Sequence, residues 1–215
     1  MTMEKKQISS LELLKLTTDK GETSYGADQK WFFGPVKQRS GCGPATAANI
    51  FYYIDRKKEP EKPPMAFRFF RIFLERMWGI VTPTRHGIPE ARMLATRIKN
   101  YASLRHYHVD VKSMEIPENP SDRPHISEVF RMLFEAMDND VPAAFLNLEN
   151  TSCPDLDTWH WVTVIGIDCD NAGFARVTFL DNGSVKYFDL AHWWTQGKGA
   201  GGIVTVIPKN DRRFW

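Results

Sequence analysis

The chain of 215 residues is long enough to bury a hydrophobic core without disulfides or metals. Its 42% apolar and 25% charged residues are typical of a globular protein, and a net charge of +2 is too small to indicate nucleic-acid binding. We therefore expect no nucleic-acid partner. No apolar run approaches the roughly 18 residues of a membrane span, so we also expect no membrane span.

The three cysteines, Cys42, Cys153 and Cys169, are an odd set without CxxC spacing. This pattern favours free thiols in a reducing compartment over a disulfide framework. The first stretch, MTMEKKQISSLELLKL, lacks the apolar segment and the cleavage site of a secretory signal. We therefore expect a stand-alone, cytoplasmic protein.

Helical periodicity dominates the chain from about residue 42 to residue 138. Four stretches carry apolar residues at helical spacing. They are GPATAANIFYYIDRK (43–57), MAFRFFRIFLERMWG (65–79), TRHGIPEARMLATRIKNYA (84–102) and HISEVFRMLFEAMDND (125–140). Ser127 is the expected N-cap of the fourth helix.

The second predicted helix has an apolar, aromatic-rich face and several arginines elsewhere on its surface. The apolar face consists of Ala66, Phe70, Phe73, Leu74 and Met77. An aromatic face at helical spacing usually belongs to the core, which is the interpretation we favour. The alternative is a helix that binds a membrane surface or a partner protein.

Short β-rich runs replace the helical pattern from about residue 142 onward. The runs are PAAFLNL (142–148), WHWVTVIGID (159–168), FARVTFLD (174–181), SVKYFDL (184–190) and GGIVTVIP (201–208), separated by CDNAG (169–173), NG (182–183) and QGKGAGG (196–202). Asn182-Gly183 is a strong hairpin signal, and HYHVDVKS (106–113) is a further candidate strand. Helices followed by a mostly antiparallel sheet predict an α+β fold rather than alternating βαβ units.

Cys42 lies between two glycines at a predicted helix start, in the stretch KQRSGCGPATAAN. The dipole and the free N–H groups of a helix N-terminus stabilise a thiolate, which is the reactive form of cysteine. Gly41 and Gly43 would allow a substrate to approach closely. A free cysteine is also often a small buried residue, so this stretch alone leaves both interpretations open.

A cysteine nucleophile needs a base, and His160 is the best candidate. It opens the apolar run HWVTVIGID, a predicted core strand that would hold the imidazole rigidly, although an ordinary strand-end histidine is the alternative. No HxxxH or HExxH spacing occurs, so we expect no metal and no cofactor. The histidines without such a scaffold are His86, His106, His108, His125 and His192.

Asp181 and Asn182 end the next predicted strand, and Asp181 follows His160 by 21 residues. Adjacent antiparallel strands would bring this end beside His160, where either side chain can accept from an imidazole N–H. The alternative is an ordinary Asp-Asn-Gly turn. Gln38, four residues before Cys42, could donate to an oxyanion together with the Cys42 backbone N–H.

Taken together, Q…GCGPATAAN, HWVTVIGID and FLDNG…FDLAHWW resemble the papain-like cysteine peptidases, and more closely their bacteriocin-processing (double-glycine-leader) branch. The resemblance spans about residues 35–55 and 155–207. It implies one papain-like α+β domain over residues 1–215. A helical part with the cysteine (about 35–140) would pack on a mostly antiparallel sheet with the histidine and the aspartate (about 141–209).

The resemblance also implies a role for each residue. Cys42 would be the nucleophile, His160 the general base and acid, Asp181 the group that orients His160, and Gln38 part of the oxyanion hole. The family more often has its glutamine six residues before the cysteine. It also has a proline where this chain has Asn182, which makes Asn182 an alternative to Asp181.

The implied chemistry is thiol-dependent acyl transfer, with hydrolysis of a peptide or amide bond as the first expectation. Two alternatives remain. One is transfer of the acyl group to an amine, and the other is a non-catalytic member of the fold that binds a peptide.

Overall fold

Within residues 3–170, 174–196 and 198–209, which the computed structural model describes, the chain forms six helices and nine strands. The helices are α1 (Pro35–Ser40), α2 (Cys42–Lys58), α3 (Phe67–Ile80), α4 (Ala91–Leu104), α5 (Ile126–Asp138) and α6 (Leu190–Gln196). The strands are β1 (Met3–Gln7), β2 (Lys15–Thr17), β3 (Thr23–Tyr25), β4 (Val109–Ile116), β5 (Ala143–Asn147), β6 (His160–Asp170), β7 (Ala175–Asp181), β8 (Ser184–Asp189) and β9 (Gly201–Pro208). Short 3-10 turns lie at Leu11–Leu14, Gln29–Trp31 and Pro120–Asp122.

The main sheet has the strand order β4-β9-β5-β6-β7-β8, and every pair in it is antiparallel. The first strand, β1, pairs with the second half of β6, beyond the part that pairs with β5. A separate small hairpin joins β2 and β3. The predicted α+β class with an antiparallel sheet is therefore confirmed.

The four predicted helices are present, and two of them begin differently from the prediction. Residues 84–90 precede α4 because Thr84 and Gly87 close a tight turn, in which Gly87 has a φ of 77°. The N-cap of α5 is His125 rather than Ser127, since the His125 ring accepts from the Ser127 N–H at 3.3 Å. The N-cap is thus a histidine ring rather than the serine hydroxyl that the sequence pattern predicts.

Helix α3 packs Phe70, Leu74 and Met77 into the core, as the aromatic-face interpretation predicts. Phe69 and Ile72 remain about half exposed on its outer face. Among the described residues, no helix is long and apolar enough to cross a membrane. Binding of the outer face to a membrane surface or a partner stays an untested alternative.

The sheet draws on both halves of the chain, which the sequence pattern indicated for β4, at the candidate strand 106–113, but not for β1. β1 is polar (MEKKQ) and joins through backbone hydrogen bonds to β6. β4 pairs with β9 along eight residues, although β4 lies between helices in sequence. α6 was not predicted, and its Trp193 is fully buried. The predicted separators CDNAG and QGKGAGG include residues 171–173 and 197, which lie outside the described residues.

Helix α2 is the element that positions the site. Its residues 43–54 are buried, and it packs against β6. Within this contact Asn49 is buried: its Oδ1 accepts from the Ala27 N–H at 2.7 Å, and its Nδ2 donates to Thr163 Oγ1 at 2.9 Å. The start of α2 is thereby held beside the start of β6 and beside the loop around residue 27.

Candidate functional site

Cys42 is the first residue of α2 and is half-buried. Only Gly41 separates α2 from α1, and no side chain of the described residues caps the first turn of α2. A Cβ at Gly41 would lie 2.6 Å from the Lys37 carbonyl oxygen and 2.6 Å from Phe32 Cδ2. Only glycine fits at this junction, because it has no Cβ. The close junction of the two helices places the thiol at the N-terminus of α2.

His160 and Asp181 form a direct, buried pair. The two residues are 7% and 5% exposed, and His160 Nε2 donates to Asp181 Oδ1 at 2.6 Å. The register of β6 with β7 places Thr163 opposite Leu180, which brings the end of β7 to the start of β6. Asn182 takes a φ of 46° in the turn to β8, so the predicted Asn182-Gly183 hairpin is present.

Cys42 lines the same small cavity as His160 and Asp181, and it interacts with the imidazole that Asp181 binds. Burial lowers the pKa of His160. The hydrogen bond and the negative charge of Asp181, together with the interaction with Cys42, outweigh burial and raise that pKa to about 10.

Asp181 is held as a carboxylate by cations on both of its oxygens. Burial raises its pKa, but the hydrogen bonds and charges of His160 and Lys186 lower it below the ordinary value. The second oxygen, Oδ2, accepts from Lys186 Nζ at 2.7 Å. The three groups form a short row of alternating charge at the strand ends.

Asp157, His160 and Asp181 each place one potential metal ligand within 4.8 Å of the others. Asp157 is exposed, and a metal ion between His160 and Asp181 would have to replace their direct hydrogen bond. The direct bond is what orients the imidazole towards Cys42. This geometry therefore fits a proton-transfer pair better than a metal centre.

Gln29 lines the same small cavity as Cys42 and His160, and the sequence analysis missed it. Its Oε1 is buried without a hydrogen-bond partner among the described residues. Its backbone N–H donates to Asn182 Oδ1 at 3.4 Å, so Asn182 supports the Gln29 loop while Asp181 binds His160. The unpaired group of Gln29 is thus an acceptor, and only its Nε2 could donate to a group in this cavity.

Gln38 is placed elsewhere. Its Nε2 donates to the carbonyl oxygens of Phe32, at 2.9 Å, and Lys30, at 3.1 Å, which ties down the loop before α1. Gln38 does not line the cavities beside Cys42. This placement does not support the expectation that Gln38 belongs to an oxyanion hole. The structure offers Gln29 there instead, 13 residues before Cys42, a spacing for which the sequence held no signal.

The other cysteines lie outside this arrangement. Cys153 is buried and Cys169 half-buried, and burial raises the pKa of both thiols. Of the remaining histidines, His125 caps α5, and His86 is exposed at the edge of a second cavity beside Cys42. Among the described residues, His160 is the histidine that lines the cavity shared by Cys42 and Asp181.

No known protein-family model matches this chain, and no curated protein is significantly similar to it. The resemblance to papain-like peptidases therefore rests on the motifs quoted above and remains a prediction.

Proposed function

We propose that this protein is a papain-like cysteine hydrolase that cleaves a peptide or amide bond through an acyl-thioester on Cys42. The observation that carries the proposal is the single cavity lined by Cys42, His160 and Asp181, in which Asp181 binds the His160 imidazole at 2.6 Å. A nucleophile, a base and a group that orients the base are the components that thiol catalysis needs. A cysteine at the start of a helix packed on an antiparallel sheet also fits the papain-like arrangement.

In the first half of the reaction, His160 holds the Cys42 proton, and the thiolate attacks the substrate carbonyl carbon. A C–S bond forms and the carbonyl electron pair moves onto the oxygen. When that pair returns, the C–N bond breaks, and His160 gives its proton to the departing amine. The acyl group is left on Cys42 as a thioester.

In the second half, water attacks the thioester while His160 takes one of its protons. The C–S bond breaks, the carboxylic acid leaves, and the thiolate–imidazolium pair of Cys42 and His160 is restored. Asp181 stabilises the imidazolium and fixes its ring, but takes up no proton itself. An amine in place of water would give acyl transfer through the same intermediate.

The developing oxyanion needs hydrogen-bond donors that are already in position. We assign this role to the Cys42 backbone N–H, in the uncapped first turn of α2, and to the amide of Gln29. Gln29 fits because its side chain lines the cavity of Cys42 and His160 and carries the Nε2 donor that this role needs.

Alkylation with iodoacetamide at pH 6, followed by mass spectrometry of each cysteine, tests the Cys42–His160 pair. We expect Cys42 to react at least about tenfold faster than Cys153 and Cys169, because burial raises the pKa of those two thiols. His160→Ala should remove most of this advantage, whereas His192→Ala, at an exposed histidine on α6, should not. Equal alkylation of all three thiols, or an unchanged rate in His160→Ala, would show that the pairing is wrong.

Turnover is then tested on a fluorogenic peptide library with the intact protein and with Cys42→Ser. Cleavage that depends on Cys42 supports the enzyme, and the product masses with and without added amine separate hydrolysis from acyl transfer. Reactive labelling of Cys42 without any turnover would favour the non-catalytic, peptide-binding alternative.

A further inference from the structure

A second cavity, of about 440 Å³, opens beside Cys42 between α1, the loop at residues 85–88 and the ends of β5 and β6. Its walls include Ile88, Leu146 and Trp161, all of which are buried. Trp161 Nε1 donates to the Ile88 carbonyl at 2.7 Å, which holds this indole against the loop. The cavity is therefore a formed, largely apolar recess that reaches the thiol.

Trp159 forms an exposed wall of the same recess. Its side chain is 54% exposed, and its φ of 53° lies in the left-handed region, which aromatic residues rarely adopt. Its backbone N–H donates to the Leu148 carbonyl at 2.7 Å, which holds this conformation. A large apolar side chain kept in solvent by a strained backbone, next to His160, is typical of a residue positioned for a ligand.

The rim of the recess carries uncompensated positive charge. Arg39 and Arg85 both line it, and both are exposed. Neither makes an ion pair or a side-chain hydrogen bond with a described residue, and the lining contains no acidic side chain. Three other arginines, by contrast, each contact a carboxylate: Arg92, Arg131 and Arg176.

We propose that this recess binds an acidic peptide, with a substrate carboxylate on Arg39 and Arg85 and a neighbouring apolar side chain against Trp159 and Trp161. The inference rests on the proposed function, because it takes the recess as the substrate-binding part of the site at Cys42. Guanidinium groups match a carboxylate through paired N–H donors, and indole walls favour an apolar neighbour. The carboxylate belongs either to an Asp or Glu side chain or to the C-terminus of the peptide.

Calorimetric titration of the Cys42→Ala protein tests this recognition without turnover. The probes are alanine-based heptapeptides with one Leu and one Glu at varied spacing, their Glu→Gln counterparts, and both sets with a free or an amidated C-terminus. The best Glu peptide should bind about 25-fold tighter than its Gln counterpart, the size of two exposed ion pairs of about fivefold each, and the preference should weaken in high salt.

Arg39→Gln and Arg85→Gln should each remove about fivefold in affinity for the acidic peptide and leave the Gln peptide unaffected. Arg76→Gln is the matched control, because Arg76 is an exposed arginine of α3 that does not line the recess. A gain confined to free C-termini would identify the terminal carboxylate as the source, and a gain from Glu would identify a side chain. Equal affinity for peptides with and without either carboxylate, the Glu side chain or the free C-terminus, would overturn the proposal, and so would the same affinity loss in all three variants.

Turnover assays separate this proposal from the one on which it rests. Selective binding of acidic peptides without any Cys42-dependent cleavage would refute the hydrolase and leave the recognition site standing. Cys42-dependent cleavage with no preference for a carboxylate would refute the recognition site and leave the hydrolase standing.

Discussion

Replacing Asp181 with asparagine tests the electrostatics of the site most directly. Asparagine has nearly the same shape and keeps an oxygen for His160 Nε2, but it removes the negative charge. Both carboxylate oxygens are engaged, at 2.6 Å from His160 Nε2 and at 2.7 Å from Lys186 Nζ. The substitution therefore leaves two cations beside a neutral amide.

The magnitude follows from the geometry of this pair. A hydrogen bond to a charged group contributes about 1.5–3 kcal/mol and a neutral one about 1 kcal/mol, so the charge of Asp181 accounts for roughly 0.5–2 kcal/mol of imidazolium stabilisation. That energy corresponds to a change in proton affinity of roughly 2- to 30-fold, and the pKa of His160 should fall accordingly from about 10. Stability should fall by about 2 kcal/mol, below the roughly 3–5 kcal/mol for breaking a buried pair, because one hydrogen bond survives.

The stability difference should depend on pH in a defined window. The pKa of Asp181 is lowered by folding, so its contribution is present above about pH 4 and is lost as the pH falls. The pKa of His160 is raised, so its contribution is present in full below about pH 6.5 and is lost as the pH rises towards 10. The variant should therefore lose the most stability between about pH 4 and 6.5, with Tm lower by roughly 4–8 °C.

The assay is an NMR titration of the His160 imidazole in the wild-type protein and in Asp181→Asn, with thermal unfolding at pH 3, 5.5 and 10. Lys186→Met is the matched control, because it removes the cation on the other oxygen of Asp181 and keeps the pair with His160. It should not lower the pKa of His160. An unchanged pKa of His160 in Asp181→Asn, or an equal decrease in both variants, would refute the reasoning.

Three further outcomes follow from the neighbourhood of Cys42. Gly41→Ala should lower the stability by about 1–3 kcal/mol in chemical denaturation and slow the alkylation of Cys42, since the added Cβ would lie 2.6 Å from a backbone oxygen. A loss of less than about 0.5 kcal/mol would contradict that packing. Gln29→Ala should reduce kcat of the proposed hydrolysis about 100-fold without changing the alkylation rate, which needs no oxyanion hole, whereas Gln38→Ala should change kcat less than about threefold. A larger loss of kcat in Gln38→Ala than in Gln29→Ala would instead make Gln38 the oxyanion donor. Asn49→Leu should cost about 2–4 kcal/mol in thermal unfolding, because it leaves a buried N–H and a buried hydroxyl without partners, and an unchanged Tm would show that these two bonds contribute nothing.

The sequence was informative where periodicity or turn chemistry is local. Apolar residues at helical spacing located α2 to α5, and alternating or continuous apolar runs located β4 to β9. Asn182-Gly183 marked the hairpin because few other residues adopt two successive positive φ values. The same local patterns could not find β1, whose polar residues join the sheet through backbone bonds that carry no side-chain signal.

The residues of the candidate site likewise fall into those that local sequence patterns predict and those that they do not. Cys42 at a helix start, His160 at a strand start and Asp181 at the next strand end are visible in the sequence, because each position is defined by its own element. The choice between Asp181 and Asn182 was not visible, since both side chains accept hydrogen bonds. The strand register decides it, with Asp181 bound to His160 and Asn182 bound to the backbone of Gln29.

The sequence by itself determined the α+β class, the main helices and strands, and the order in which the cysteine, the histidine and the aspartate occur. Only the tertiary structure decided that Gln29 rather than Gln38 lies beside the thiol, and that Arg39 and Arg85 share one recess. The physical reason is distance along the chain: Gln29 and Arg85 come from separate loops, and each reaches the site only because α2, β6 and the loop held by Asn49 pack together.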